Sequence, residues 1–182
     1  MSYSLGDLLG KGSDGEVYEL YKNDKDTGDV IKIINTEEGL KNYLEPYIML
    51  HMKNPYVSNA KMIEIDDSGI AKIVQNRAYS DLSYFIKNKK LTKLQKLKIC
   101  LNIAKGIAFL HSYNIIHCDI KPKNILVYNY NKNFDIKLSD FSLSRFDISK
   151  TKNSKILYTY NYKPPEVLRN DKVSLKSDIF AL

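Results

Sequence analysis

The chain is poor in cysteine and has no long apolar run, and each shortage excludes a class of protein. Its two cysteines, Cys100 and Cys118, have neither the spacing of metal ligands nor the density of a disulfide framework, which favours a reducing compartment. No stretch approaches the roughly 18 apolar residues of a transmembrane helix, and residues 1–7 lack a basic start followed by an apolar core. We therefore expect an intracellular protein of the cytoplasm or nucleus, neither secreted nor inserted in a membrane.

Arginine is also scarce, although the formal net charge is +7. Only Arg77, Arg145 and Arg169 contribute to the 28 basic residues, and all the others are lysines. The lysines are scattered and form no basic stripe with interleaved aromatic residues, which argues against a nucleic-acid partner. Solvated lysines on helix surfaces explain the excess better, and an attraction to acidic substrates stays open. A chain of 182 residues, 43% of them hydrophobic, suits one globular domain or two small lobes that share a cleft.

The segment His117–Asn124, just before the apolar run Ile125–Val127, carries the clearest chemistry. A carboxylate at Asp119, a lysine two residues later at Lys121 and the amide of Asn124 form a cluster suited to a phosphate and a hydroxyl group. In isolation the same residues also fit a turn that starts at Asp119 and is closed by proline, with its lysines solvated.

A glycine-rich stretch lies near the N-terminus. Residues 8–18 read as a strand, a turn with Gly10, Gly12 and Gly15, and a second strand. Glycines allow main-chain N–H groups to approach an anion, but they also mark simple hairpins. The stretch returns to a strand and not to a helix, which argues against a dinucleotide-binding crossover.

Lys32 interrupts the apolar strand predicted over residues 29–34, after a polar turn predicted over residues 22–28. A lysine there is costly unless its ammonium group reaches water or a partner, and an edge-strand lysine that discourages pairing is the alternative. Glu45 follows thirteen residues later, directly before Pro46. Since proline lacks an N–H and restricts the residue before it, the next helix is predicted to start at Pro46 or to be kinked there.

These segments occur in the order of the motifs of the protein-kinase family, which the chain resembles. His117–Asn124 resembles the catalytic loop, usually His-Arg-Asp-x-Lys-x-x-Asn, and residues 10–17 resemble the glycine-rich loop. Asp140-Phe141 is similar to the Asp-Phe-Gly metal motif, and residues 159–166 are similar to the end of the activation segment. The resemblance runs from Gly10 to Asp178 and implies the serine/threonine type.

The resemblance implies a role for individual residues. Asp119 is expected to be the catalytic base, Lys121 to offset charge on the transferred phosphoryl group, and Lys32, paired with Glu45, to bind the α- and β-phosphates. Asn124 and Asp140 are expected to hold Mg²⁺, and Thr159 to dock the protein substrate. The residues expected to bind ATP are Leu9, Gly10, Lys11, Gly12, Ser13, Asp14, Gly15, Glu16, Val17, Val30, Lys32 and Leu126, with the Asp14 side chain pointing to solvent.

The implied fold class is α+β, the two-lobed protein-kinase fold. Residues 1–75 are expected to form a β-rich N-lobe with a five-stranded antiparallel sheet and one helix, and residues 76–80 the hinge. Residues 81–182 are expected to form a mainly helical C-lobe, cut short at the start of its sixth major helix, whose aspartate, Asp178, braces the catalytic loop. A truncated lobe leaves apolar faces around Leu101, Ile107 and Leu175 without cover, which invites a partner.

The longest helix is predicted from Thr92 to the segment before the catalytic loop. Apolar residues recur there at spacings of three and four, namely Leu94, Leu97, Leu101, Ala104 and Ala108. Cys100, Ile103, Ile107 and Leu110 widen this stripe. We interpret the whole stripe, Cys100 included, as the face that packs on the core.

Several positions depart from the family pattern. Cys118 replaces the loop arginine, which predicts activity without phosphorylation of the activation segment. Ser142 replaces the glycine beside Asp140, which restricts the backbone there, and Lys123 occupies a position that is often acidic, which predicts neutral or acidic target sites. Two functions follow: an ATP- and Mg-dependent kinase acting on serine and threonine hydroxyls of proteins, or a pseudokinase-like module that binds nucleotide or a partner with little phosphotransfer. Pro46, Ser142 and the short C-lobe favour the second.

Overall fold

The computed structural model describes residues 3–12, 15–34, 44–129, 135–147, 159–169 and 173–182. The chain divides into two compact units. The first comprises Met1–Lys53 and Asn59–Arg77, and the second comprises Asn54–Ser58 and Ala78–Leu182. Residues 54–58 thus join the second unit, although the sequence places them in the N-lobe, because the backbone N–H of Ser58 donates to the carbonyl of Leu138 at 2.8 Å and the N–H of Leu138 donates to Tyr56 at 2.9 Å.

The first unit is an antiparallel sheet with one helix. Five strands lie in the order β1-β2-β3-β5-β4. Their bounds, with that of the helix, are β1 Tyr3–Gly12, β2 Gly15–Lys22, β3 Lys25–Ile34, α1 Leu44–His51, β4 Met62–Ile65 and β5 Ala71–Asn76. The core of this sheet contains Leu20, Ile31 and Val74, on which Tyr18 and Ile33 pack.

The turn between β2 and β3 is shorter than the sequence predicts. Asn23 and Asp24 take the left-handed conformation, with φ of 49° and 58°, and Lys22 pairs directly with Lys25. Asparagine and aspartate tolerate this conformation, which closes a two-residue hairpin whose twist matches that of the strands. Residues 25–28, predicted as part of a polar turn, therefore belong to β3.

The second unit holds four of the five α-helices that the described residues form. Its elements are β6 Ser80–Asp81, α2 Leu82–Asn88, α3 Lys93–Ser112, β7 Ile115–Ile116, a 3-10 helix Pro122–Asn124, β8 Ile125–Asn129, β9 Asp135–Leu138, β10 Arg145–Phe146, a 3-10 helix Tyr160–Tyr162, α4 Pro165–Leu168 and α5 Leu175–Ala181. Strands β6, β8 and β9 form one small sheet, and β7 pairs with β10. Local signals start the helices: Asp81 caps α2, and Thr92 and Gln95 form a capping box on α3.

Helix α3 buries only part of the face predicted to pack on the core. Ile99, Ile103, Ile107 and Leu110 are buried, whereas Leu94, Leu97, Leu101 and Cys100 are exposed. Two apolar stripes with helical spacing run along α3, and the packing partner decides between them. Gly106 lets the helix approach the Tyr56 carbonyl and Leu138 so closely that a β-carbon there has no room, which turns the isoleucine stripe inward. The interpretation of Leu94, Leu97, Leu101 and Cys100 as core residues was therefore wrong.

The α+β fold class is confirmed. A five-stranded antiparallel sheet with one helix forms the first unit, and the second is mainly helical. The second segment of the first unit ends at Arg77. Across the described part of the chain, no helix combines the length and apolarity required to cross a membrane.

Candidate active site

Four side chains of the catalytic-loop region meet at the carboxylate of Asp119, which is buried. The ammonium group of Lys121 donates to Oδ2 at 2.6 Å, and the amide of Asn124 donates to the same oxygen at 2.7 Å. The hydroxyl of Thr159 donates to Oδ1 at 2.8 Å and accepts from Lys121 at 2.8 Å. Lys121 and Asn124, within five residues of Asp119, and Thr159, 40 residues away, thus hold this one carboxylate in a fixed orientation.

The backbone of this loop is held from α5. Asp178, itself buried, accepts hydrogen bonds from the N–H of His117 at 2.8 Å and from the N–H of Cys118 at 2.9 Å. His111, in the last turn of α3, lies 2.9 Å from the same carboxylate through Nε2. Cys118 has a φ of 68°, a backbone conformation that residues other than glycine adopt only where their surroundings hold it. The two accepted N–H bonds supply that restraint.

His117 connects the loop to the metal motif. Its ring is fully buried, with Nε2 3.1 Å from the Ser139 carbonyl, and it packs on the Phe141 ring with the centroids 5.3 Å apart. The N–H of Ser139 donates to the Asn124 carbonyl at 2.9 Å. This bond joins the backbones on which the side chains of Asn124 and Asp140 stand.

The chemistry of these donors fits a magnesium ion. Mg²⁺ prefers oxygen ligands and usually takes one or two from the protein, with water and phosphate oxygens completing its shell. The Asn124 amide nitrogen is engaged with the Asp119 carboxylate and, at 3.0 Å, with its backbone carbonyl, which leaves the amide oxygen for a cation. Asp140 adds a carboxylate. Among the described residues, no three histidine, cysteine, aspartate or glutamate side chains cluster as a metal site by themselves.

In the first unit, Lys32 and Glu45 form an ion pair with 2.9 Å between Nζ and Oε1. The Glu45 side chain is 4% exposed and that of Lys32 14%. The described part of α1 already includes Leu44 and Glu45, so the helix does not start at Pro46 as one prediction has it. Pro46 is the third described residue of this helix and is buried.

The glycine-rich stretch forms a β-hairpin in which Gly10 pairs with Val17 and Gly12 with Gly15. Gly15 is required there, because its φ is 147° and a β-carbon would overlap the Ile33 carbonyl. Lys11 pairs with Glu16 at 2.8 Å, and this lysine, with the Tyr18 hydroxyl, lowers the pKa of Glu16. Of the other predicted ATP ligands, Leu9 is 49% exposed, Val30 is buried in β3, and Leu126 is half-buried in β8. Ser13 and Asp14 lie outside the described residues.

The sequence reasoning missed two supporting contacts, those of His111 with Asp178 and of Glu166 with Ser177. The Ser177 hydroxyl, on the first turn of α5, donates to Glu166 at 2.6 Å. Basic residues are common in the last turn of a helix, because positive charge stabilises that end. The position of His111 is therefore explained locally, and only its contact with the distant Asp178 indicates that it supports the loop.

Comparison with known proteins agrees with this geometry. A family model for the protein kinase domain matches residues 3–182. A mimivirus protein named as a serine/threonine-protein kinase or receptor is 33% identical over 97% of the chain and 11% of its own length. Serine/threonine-protein kinase 4 homolog B of Dictyostelium discoideum is 32% identical over 100% of the chain and 17% of its own length. The cyclin-dependent kinase 4 homolog of Caenorhabditis elegans is 31% identical over 98% of the chain and 47% of its own length.

The chain is shorter than these relatives, spanning about half of the Caenorhabditis elegans protein and a smaller share of the other two. The match nevertheless covers nearly all of the chain and includes every motif described above. The chain belongs to the protein kinase domain family.

Proposed function

We propose that this chain is a serine/threonine protein kinase that transfers the γ-phosphate of ATP to hydroxyl groups of proteins. The observation that carries the proposal is the cluster at Asp119, with Lys121, Asn124 and Thr159 all bonded to its carboxylate. Phosphoryl transfer depends mainly on positioning and charge neutralisation, and this cluster supplies a placed base and a placed cation.

In the proposed reaction, Asp119 accepts the proton of the substrate hydroxyl, and its bonds to Lys121 and Asn124 hold the carboxylate in one orientation. Lys121 offsets negative charge on the phosphoryl group. Asn124 and Asp140 hold Mg²⁺, which neutralises phosphate charge when bound. Lys32, oriented by Glu45, binds the α- and β-phosphates, and the glycine-rich hairpin, with Val30 and Leu126, binds the rest of the nucleotide.

Thr159 supports the choice of serine and threonine as acceptors. Its hydroxyl lies 2.8 Å from Asp119 Oδ1, and this contact supports the proposal that an aliphatic hydroxyl binds beside this carboxylate. The exposed Lys123 adds positive charge to the loop that carries Asp119. We therefore propose that the protein substrates carry neutral or acidic residues around the acceptor, and an array that prefers arginine before it would contradict this part.

The test is phosphate transfer from γ-labelled ATP with Mg²⁺ to one basic, one acidic and one uncharged protein or peptide acceptor. Asp119→Asn keeps the shape of the side chain and is expected to abolish transfer. Lys121→Met is expected to reduce transfer strongly. The matched control is Lys123→Met, which makes the same charge change at an exposed residue of the same loop and is assayed on the uncharged acceptor.

The alternative is a nucleotide-binding module with little phosphotransfer, supported by Ser142 beside Asp140. This alternative is favoured if nucleotide raises the melting temperature of the chain and no Asp119-dependent transfer is detected. Transfer that persists in Asp119→Asn would instead indicate a contaminating enzyme.

A further inference from the structure

A cavity of about 820 Å³ lies within the second unit, and of the side chains gathered at Asp119 it is lined by Lys121. Its wall is formed by α2, the first half of α3, the catalytic-loop region and the end of α5, with apolar residues such as Leu82, Ile99, Ile103, Ile120 and Ile125. All five are buried by the surrounding elements and line the cavity with aliphatic groups. The volume is within the range of roughly 300–1,000 Å³ typical of small-molecule sites.

The charged side chains that line this cavity have one sign. Among the residues that the structure describes, Lys89, Lys90, Lys96 and Lys121 line it, and no aspartate or glutamate side chain does. Lys121 is bonded to Asp119, so its charge is already matched. Lys90 and Lys96 are exposed and form no ion pair with any carboxylate of the described chain. An aliphatic chamber with unmatched ammonium groups at its edge is complementary to a molecule with an alkyl chain and an anionic head.

We propose that this cavity binds a free fatty acid, with the alkyl chain among the isoleucines and the carboxylate near Lys90 and Lys96. Burial of the alkyl chain supplies most of the affinity, because each buried methylene group contributes favourably. The lysines contribute selectivity and little affinity. An exposed ion pair adds only a modest preference for an anionic head group over a neutral one. An occupant also contacts Ile120, which stands between Asp119 and Lys121. The proposal does not depend on phosphotransfer.

The chain contains its own reporter for this site. Cys100 is exposed and lines the cavity, whereas Cys118 is buried. A thiol reagent is therefore expected to label Cys100 quickly and Cys118 slowly. At saturation, dodecanoate is expected to slow the labelling of Cys100 at least fivefold. The same protection is expected to require about threefold to tenfold more dodecanol, and a still higher concentration of dodecyltrimethylammonium.

Two variants test the assignment without touching the residues at Asp119. Lys90→Glu with Lys96→Glu changes exposed residues only and is expected to reverse the preference from dodecanoate to dodecyltrimethylammonium. In the matched control Cys100→Ser with Leu101→Cys, the thiol moves one residue along α3 to an exposed position that does not line the cavity, and dodecanoate is expected to leave its labelling unchanged.

Three results would overturn the proposal. Unchanged labelling of Cys100 with every amphiphile would show that the cavity takes no alkyl chain. Equal protection by the three amphiphiles, or a preference for dodecanoate over dodecyltrimethylammonium that survives the double lysine variant, would show that the site does not select an anionic head group. Protection by phosphatidylserine vesicles but not by dodecanoate would identify a membrane surface in place of a free fatty acid.

Discussion

The carboxylate of Asp178 accepts the backbone N–H of Cys118 at 2.9 Å, 60 residues away along the chain. It also accepts the N–H of His117 and contacts His111, so one buried side chain restrains the helix before the catalytic loop and the start of the loop itself. These restraints act on the residue next to Asp119, and they hold it in a left-handed conformation that is otherwise unfavourable.

Replacing Asp178 by asparagine is expected to lower the free energy of unfolding by about 3 kcal/mol, because an amide nitrogen would face a backbone N–H inside the protein. The measurement is a denaturant titration. Asp67→Asn, at an exposed turn of the first unit, makes the same chemical change and is expected to have almost no effect. Equal effects of the two variants would mean that Asp178 does not restrain the loop.

The ion pair of Lys32 with Glu45 is expected to matter more for stability than the shorter pair of Lys61 with Asp29. The first joins side chains 14% and 4% exposed at 2.9 Å, whereas the second joins side chains 50% and 14% exposed at 2.6 Å. Lys32→Met removes the ammonium group from a buried carboxylate and is expected to cost about 3 kcal/mol. Lys61→Met is expected to cost less than about 1 kcal/mol, since water replaces the lost partner.

These two variants are compared by thermal and denaturant unfolding without nucleotide. A larger loss from Lys61→Met would show that distance, and not burial, determines the contribution of these pairs.

Gly106 is expected to tolerate no side chain. A β-carbon there would lie 2.8 Å from the Tyr56 carbonyl and 2.9 Å from Leu138 Cδ1. Alanine gains about 1 kcal/mol of helix propensity, but separating α3 from β9 costs more, so we expect Gly106→Ala to destabilise the chain by about 1–2 kcal/mol. Gly10→Ala, where a β-carbon meets open space, is the control and should change the unfolding midpoint little. Stabilisation by Gly106→Ala would show that the helix has room to move.

Thr159 is expected to contribute through its hydroxyl group. Thr159→Val keeps the shape but removes both the bond to Asp119 and the bond from Lys121, which we expect to reduce kcat/KM for protein substrate about 10- to 100-fold. Thr159→Ser retains the hydroxyl and is expected to keep most of the activity. If valine and serine behave alike, the methyl group and not the hydroxyl is what the site requires.

Cys118 bears on regulation. Its side chain is neutral and buried, with Sγ 3.8 Å from the Ile116 carbonyl, and therefore offers no cation to a phosphorylated activation segment. We expect treatment with a phosphatase to leave the transfer rate unchanged. Loss of activity on this treatment, restored by autophosphorylation, would contradict the prediction.

The sequence by itself determined the family, the fold class and the identity of the chemical groups. Motifs such as Asp119 to Asn124 depend on spacing along the chain, and so do the caps Asp81 and Thr92, because their partners lie within a few residues. Lys32 and Glu45 could be paired only through the resemblance, since nothing local links two residues thirteen positions apart.

Contacts between distant segments were decided by the tertiary structure. The apolar spacing of α3 fits two faces equally well, and only the close approach at Gly106 selects Ile99, Ile103 and Ile107 over Leu94, Leu97 and Leu101. His111, the partner of Asp178, and Ser177, the partner of Glu166, likewise have positions that local structure explains, so the sequence does not reveal these contacts. Local patterns follow from backbone geometry and nearby hydrogen bonds, whereas the buried side of a helix and the partner of a buried charge depend on what the rest of the chain packs against them.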